Sequence, residues 1–448
     1  MPALLKRATP EGTEILKIPV GNNAFIASRL RDRISKMESV VNKLHSLEDP
    51  HVEFTLLRAC LGSTKLAYAL RGVPPTDDVI SACREADDVA RIALERLLGG
   101  SVGDAAWTQA GMKPSFGGMG LRHSEDIAVP AFLGSVVDTS GLVLSLLGKQ
   151  SATMPGAAFA AQKVTSEHQG NVPSEVGIAI GCLVRGPITT EHAADFPTRV
   201  QAKLQEATDT TIHDRIRNMA TANSRDRLDA TKRKHASAWL AAFPNKALGL
   251  WLPPREFSAA ARCWLGVQSQ PEAKALLKPG LAMYGRHHSI QECLMSLCKS
   301  AGVAARREVL IDSSSNQRPA DVYLPNWHRG VSYAVDVTVT NPSQSTHTSR
   351  DGVASAASAS VRAARAKVAL KESKYKIQCE SHGVSFVAAA ICCYGGWLEE
   401  GENIVNELAE RCAVRGGRDL AITKCQFWQR LSIALWKGNA CQLLHYAG

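Results

Sequence analysis

Apolar positions in the first third of the chain recur at helical spacing. Leu30, Ile34, Met37, Val41 and Leu44 step by four and three residues, which gathers them into one stripe on a helix. The stretch "VEFTLLRACLGSTKLAYAL" predicts a second helix. A third is predicted over "PPTDDVISACREADDVARIALERLLGG", with Thr76 as its cap, Asp77 and Asp78 at its positive end and Gly99 as its stop. Gly117, Gly118 and Gly120 predict a tight turn into a further apolar, helical region, and packing against a neighbour explains such a turn better than phosphate binding does.

The pattern changes after residue 147. "KQSATMPGAAFAAQKVTSEHQGNVPSE" is small and polar, as in a flexible connection, and "RVQAKLQEATDTTIHDRIRNMA" predicts a charged helix. The basic run "SRDRLDATKRKHASAWL" reads as a solvated helix face, with nucleic-acid contact as the sharper alternative. From residue 281 onward helix and strand alternate. A helix over "SIQECLMSLCKSAG" and a strand over "REVLI" lead into "RPADVYLPNWHRGVSYAVDVTV", two apolar runs joined by a turn with Asn326 and Gly330. A long basic helix (about 353 to 376), the strand "SFVAAAICCYGG" and C-terminal helices complete an α/β domain around a mixed sheet. The predicted class is α+β with several domains: helical over 1–147, a flexible and helical connector over 148–280, and α/β over 281–448.

Composition narrows the setting. The 448 residues are 45% hydrophobic and 21% charged, as in a folded globular chain, and the net charge of +10 suits a polyanionic partner without requiring one. Twelve cysteines form no disulfide framework, which predicts a reduced, intracellular protein. The start has no signal-peptide pattern, and the apolar run "VGIAIGCLV" is too short to span a bilayer, so no membrane partner is expected.

The hairpin carries Asp321 and Asp336 on neighbouring strands, where two ionised carboxylates repel unless something compensates them. A Mg²⁺ ion held by both would do so, and hydrolysis of a phosphodiester also needs a cation near the developing negative charge. The helix that follows offers Arg362, Arg365, Lys367, Lys371, Lys374 and Lys376, and Lys371 and Tyr375 are four apart on one face. The alternative is structural: Asp321 caps a turn, Asp336 is ion-paired, and the helix face is merely solvated.

Five phrases, "GGMGLRHSEDIAVPAFLGSV", "HASAWLAAFPNKALGLWLPPREF", "RPADVYLPNW", "AVDVTVTNP" and "WQRLSIALWKGNA", together resemble the C-terminal half of a LINE-type (non-LTR) retrotransposon polyprotein. That family carries a restriction-enzyme-like endonuclease behind its reverse transcriptase. "TEILKIPVGNNAF" resembles the segment leading into the thumb, so 1–147 is expected as a thumb-like remnant. The resemblance implies Mg²⁺-dependent DNA nicking, DNA and element RNA as partners, and a nuclear location. Asp321 and Asp336 match the two metal ligands, and Lys371 with Tyr375 matches a Lys-x-x-x-Tyr pattern, with Lys374 as competitor. Arg362, Arg365, Lys367 and Lys376 are then the expected nucleic-acid contacts. His287 matches a histidine that precedes the domain's first helix, with no role assigned.

Three departures bear on activity. The lysine usually found two residues after the second ligand is replaced by Thr338. Asp77-Asp78 and Asp87-Asp88 lie in a helical pattern, unlike a polymerase pair on a hairpin, so no polymerase activity is expected. Between Cys263 and His287 there is no Cys-x-x-Cys, so no zinc is expected there. Three readings stay open: a nicking endonuclease portion, a non-catalytic nucleic-acid-binding remnant, or a decayed scaffold.

Overall fold

The computed structural model describes residues 9–168, 170–267, 281–312, 317–342 and 358–447. The chain is α+β, and it divides into two compact units. The first comprises the described residues of Met1–Glu48, Glu53–Phe116 and Gly120–Ile216; the second comprises those of Asp49–Val52, Gly117–Met119 and Arg217–Gly448. Of the stretch expected as a connector, 148–216 falls in the first unit and 217–267 in the second.

The first half opens with a hairpin of β1 (Gly12–Ile15) and β2 (Ile18–Gly21). Helices follow: α1 (Asn23–Leu44), α2 (Pro50–Cys60), α3 (Thr64–Leu70), α4 (Asp77–Leu98), α5 (Asp104–Gly111) and α6 (Ser124–Leu147). The short pair β3 (Ser151–Ala152) and β4 (Ile188–Thr189) brackets α7 (Ala157–His168) and α8 (Ser174–Arg185), before α9 (Thr190–Ala194) and α10 (Val200–Met219). The predicted stripe is real: Leu30, Ile34, Met37 and Val41 are all buried on α1. The second predicted helix is broken into α2 and α3, because Gly62 takes a left-handed φ of 58° between them. Thr76 stands at the cap position of α4, yet its side chain makes no capping bond, whereas Gly99 ends the helix with a φ of 70°.

Two further expectations are corrected. The connector expected to be loop-like contains α7, whose Ala157, Ala160, Ala161 and Val164 repeat at helical spacing and are buried. The most apolar long helix is α6, not the segment at 176–184. It is long and apolar enough to cross a membrane by length and composition, but 61% of that window is buried inside the protein, as in a core helix. Val129, Phe132, Leu133 and Val137 of α6 form one core with Val164, Val176, Ile180 and Leu204.

In the second unit, α11 (Ala222–Thr231) and α12 (Pro254–Leu265) precede α13 (Leu281–Ala301). Strands β5 (Arg306–Val309), β6 (Ala320–His328) and β7 (Val331–Thr340) follow, then α14 (Ala359–Ser381), β8 (Val384–Cys392), α15 (Glu399–Gly416) and α16 (Leu420–Ala447). The sheet has the order β5-β6-β7-β8, antiparallel except for β7 and β8, which run parallel across the α14 crossover. Val335 and Val337 face a core shared with Ile290 and Leu297 of α13, Leu408 of α15 and Leu431 of α16. Ala334 and Phe386 face the opposite core, with Val368 and Tyr375 of α14. Residues 353–357, expected as the start of the basic helix, lie outside the described residues, as do 268–280 between Cys263 and His287.

The basic run at 224–240 is not a simple solvated face. Its Trp239 is 0% exposed and packs against Trp264 and Trp436 with ring centroids 5.9 and 5.2 Å apart. Such rings each contribute roughly 1.5–3 kcal/mol or more by burial, so this tryptophan anchors the unit. Arg233 donates to the Trp397 carbonyl at 2.7 Å, and Lys234 pairs with Glu402.

Candidate active site

The β6–β7 hairpin turns on two residues, Arg329 and Gly330, with φ of 50° and 81°. Positive φ at both positions is the type I′ geometry that matches strand twist, and it pairs His328 with Val331. Asn326, expected in the turn, instead lies within β6. Its φ of 52° accompanies a register shift between Leu324 and His328. Beyond the shift Val322 pairs with Val335, so Asp321 and Asp336 are the next positions along the two strands.

Asp336 is only 4% exposed. Alternation along β7 sends Val335 and Val337 to one core, and Asp336 toward α14, which supplies Lys371. The Lys371 ammonium donates to Asp336 Oδ1 at 2.8 Å, while Oδ2 is buried with no hydrogen-bond donor among the described residues. Burial pushes the Asp336 carboxyl up to about 6, and the charge of Asp321 adds to the rise. Lys371 and His287 oppose it.

Asp321 is held from α13. His287 Nε2 lies 2.9 Å from Asp321 Oδ2, and the backbone N–H of Val337 donates to the same oxygen at 2.6 Å. Gln291 Nε2 donates to the Asp321 carbonyl at 2.8 Å. His287 and Gln291 are four residues apart, so one face of α13 grips both ends of this residue. The hydrogen bond to Asp321 is the main reason the His287 imidazole titrates above its usual range; burial works against it, and both carboxylates support it. His287 therefore lies inside the helix rather than ahead of it, and its partner is a candidate ligand. Its signal in the sequence was the His-x-x-x-Gln spacing, legible only once Asp321 is known to face it.

Tyr375 is buried one turn beyond Lys371, tilted against Phe386 with centroids 5.8 Å apart. Lys371 and Lys374 stand 5.5 and 4.7 Å from the Tyr375 ring centroid. Of the two, Lys371 is the one hydrogen-bonded to a candidate ligand; Lys374 is exposed and covers the tyrosine. Arg365 is ion-paired with Glu400, and Arg362 offsets the effect of burial on the Asp226 carboxyl. Lys367 is half-buried and Lys376 exposed.

Among the described residues no three His, Cys, Asp or Glu side chains are grouped as a metal site, so a divalent cation here would rest on two carboxylates and water. Two carboxylates lie on adjacent strands, one offers a buried oxygen without a donor, and its neighbour is oriented by a histidine and a backbone amide. The two Asp pairs of the first half do lie in a helix, α4. Asp87 there accepts from the backbone N–H groups of Ser124 and Glu125 at 2.6 and 3.0 Å, serving the first turn of α6. No family model matches the chain, and no curated protein matches it.

Proposed function

We propose that the chain is the nicking endonuclease portion of a LINE-type retrotransposon-derived protein, acting on DNA in the nucleus and without a polymerase centre of its own. The observation that carries this reading is the bare, buried Asp336 Oδ2 beside Asp321, with Lys371 at the same carboxylate. A mixed sheet whose antiparallel hairpin bears both aspartates, followed by a crossover helix bearing the lysine, supports a restriction-endonuclease-like domain for the second unit.

Asp321 and Asp336 would hold Mg²⁺, which when bound polarises the scissile phosphate and makes water a better nucleophile. The protein's own residues have separable tasks. Asp336, titrating at about 6, is ionised at neutral pH and ready to ligate. His287 and Val337 N–H fix the rotamer of Asp321. Lys371 exchanges its bond to Asp336 for one to a phosphate oxygen, where its charge offsets the negative charge that develops. Tyr375 limits where the lysine can travel. Lys367 and Lys376, on the same helix, attract the backbone, with Arg362 and Arg365 joining by exchange of their present acidic partners.

The Lys371–Asp336 pair favours a second reading, because a self-compensated carboxylate is what a non-catalytic nucleic-acid-binding remnant would retain. Supercoiled plasmid incubated with the chain in Mg²⁺ or EDTA separates the two. Nicked circles in Mg²⁺ alone, lost in Asp336→Asn, support the endonuclease. Uncut plasmid bound with a steep salt dependence supports the remnant.

A further inference from the structure

Residues 242–253 form a loop that closes on itself. Asn245 and Leu250 exchange backbone hydrogen bonds of 3.3 and 2.9 Å, and Gly249 takes a left-handed φ of 69°. The closure places Lys246 and Trp251 on one wall of a cleft of about 480 Å³. His288, Glu292 and Cys293 of α13 and Arg430 and Lys437 of α16 line the rest. Three permanent cations thus line the cleft with one acid, Glu292, which is already engaged by Arg307 and by His288 at 3.3 Å, while Glu256 outside the lining interacts with Lys437 alone of the three.

The cleft is held stiffly. A Cβ on Gly438 would stand 2.6 Å from the Arg286 Cα, so α13 and α16 approach backbone to backbone. Buried Arg286 donates to Asn439 Oδ1 at 3.2 Å across the same contact. Trp251 is fixed as well: its indole N–H donates to Asp49 at 2.8 Å, and the Lys246 ammonium lies 4.2 Å from its ring centroid. Cations gathered on a frame that cannot spread are relieved by an anion, and clefts focus such potentials. Exposure agrees: His288 is 62% exposed, and Phe243 of the same loop is 70% exposed, unusual for a phenylalanine.

Adjacent residues of α13 separate two roles. His287 reaches Asp321, whereas His288 lines the cleft. Successive helical side chains point about 100° apart, so one helix carries the aspartate site on one side and the cationic cleft on another.

We propose that this cleft binds the phosphodiester backbone of a single nucleic-acid strand. Lys246, Arg430 and Lys437 contact the phosphates. The inference rests on the nuclease reading only in taking that strand as the one led toward Asp321; binding itself is measured without cleavage.

The test is fluorescence anisotropy of labelled strands of about 20 nucleotides, DNA or RNA, single or duplex, with the full chain across a range of salt. Wild type is compared with a Lys246→Gln, Arg430→Gln, Lys437→Gln triple variant. The triple variant should lose at least tenfold in single-strand affinity and about 2 from the salt slope, near 0.7 per phosphate released. It should keep the wild-type melting temperature. Equal affinity and slope in the triple variant would overturn the proposal, as would a wild type that binds no strand. Tighter binding of poly-glutamate than of the strand at matched charge and salt would also overturn it, assigning the cleft to acidic peptides. Cleft-dependent binding without nicking removes the nuclease reading and leaves this one standing; nicking with cleft-independent binding does the reverse.

Discussion

Asp87 in the first unit and Asp336 in the second are nearly alike by the usual measures. They are 8% and 4% exposed, and burial pushes both carboxyls up to about 6. Their surroundings differ in one respect. Both Asp87 oxygens accept backbone N–H groups, from Ser124 and Glu125, and His123 adds a favourable charge. Asp336 satisfies one oxygen with Lys371 and leaves the other buried without a donor among the described residues. Burial and a raised pKa therefore do not mark a functional carboxylate. What separates them is the unpaired buried oxygen of Asp336, which costs about 1–3 kcal/mol and which Glu53, Glu256 and Glu400 also show among the described residues, so the functional reading of Asp336 is a proposal for the assays below.

Neutralising each aspartate in turn should affect the two units very differently. Asp336→Asn keeps the shape and removes the ligand charge, so Mg²⁺-dependent nicking should fall by about a thousandfold or more. Asp87→Asn, assayed well below its melting temperature, should nick plasmid within about twofold of wild type. Comparable losses in both would mean that Asp336 acts only through the fold.

Stability should divide the pair in the opposite sense. Asp87→Ala strands two N–H groups at the start of α6, where Ser124 is fully buried. The expected cost is about 3 kcal/mol, seen in urea unfolding. Asp336→Asn, measured in EDTA, should change stability by no more than about 1 kcal/mol, because a poorly compensated charge leaves as Lys371 loses its partner.

The pH dependence of Asp87 has a definite sign. Its folded carboxyl titrates at about 6, above the ordinary value near 3.9, so the folded state holds the proton more tightly. Its contribution to stability is full below about pH 4 and is lost as pH rises through about 6. The total is roughly 3 kcal/mol as an upper figure. Unfolding curves of Asp87→Asn between these limits should show a slope shallower by one proton.

The smallest effects separate the two lysines. Lys371→Ala should slow nicking by about thirtyfold, since it removes the cation bonded to Asp336. Lys374→Ala should stay within about threefold, because that ammonium lies over Tyr375 and reaches neither carboxylate. Single-turnover rates at saturating plasmid measure both.

Much of this was legible in the sequence where the determinants are local. The stripe of α1, the stop at Gly99 and the alternation that places Asp321 and Asp336 on neighbouring strands follow from periodicity alone. Lys371 stood out by its four-residue spacing from Tyr375, but its bond to Asp336 depends on a partner 35 residues away. What stayed hidden depends on distant partners. His287 meets Asp321 across 34 residues, and Trp239 is buried by Trp264 and Trp436, so a basic run that seemed solvated is an anchor. The break at Gly62 does not show in the periodicity, because one left-handed glycine interrupts an apolar pattern that continues through it.

On the proposed reading, Asp336 and Asp321 together hold a divalent cation. Mn²⁺ titration of the purified chain, followed by the loss of free-ion electron paramagnetic resonance signal, tests it most directly. Wild type and Asp87→Asn should each take up one ion per chain that Mg²⁺ displaces, and Asp336→Asn should take up none at the same concentrations. Equal uptake by Asp336→Asn, or no uptake by wild type, would contradict the account.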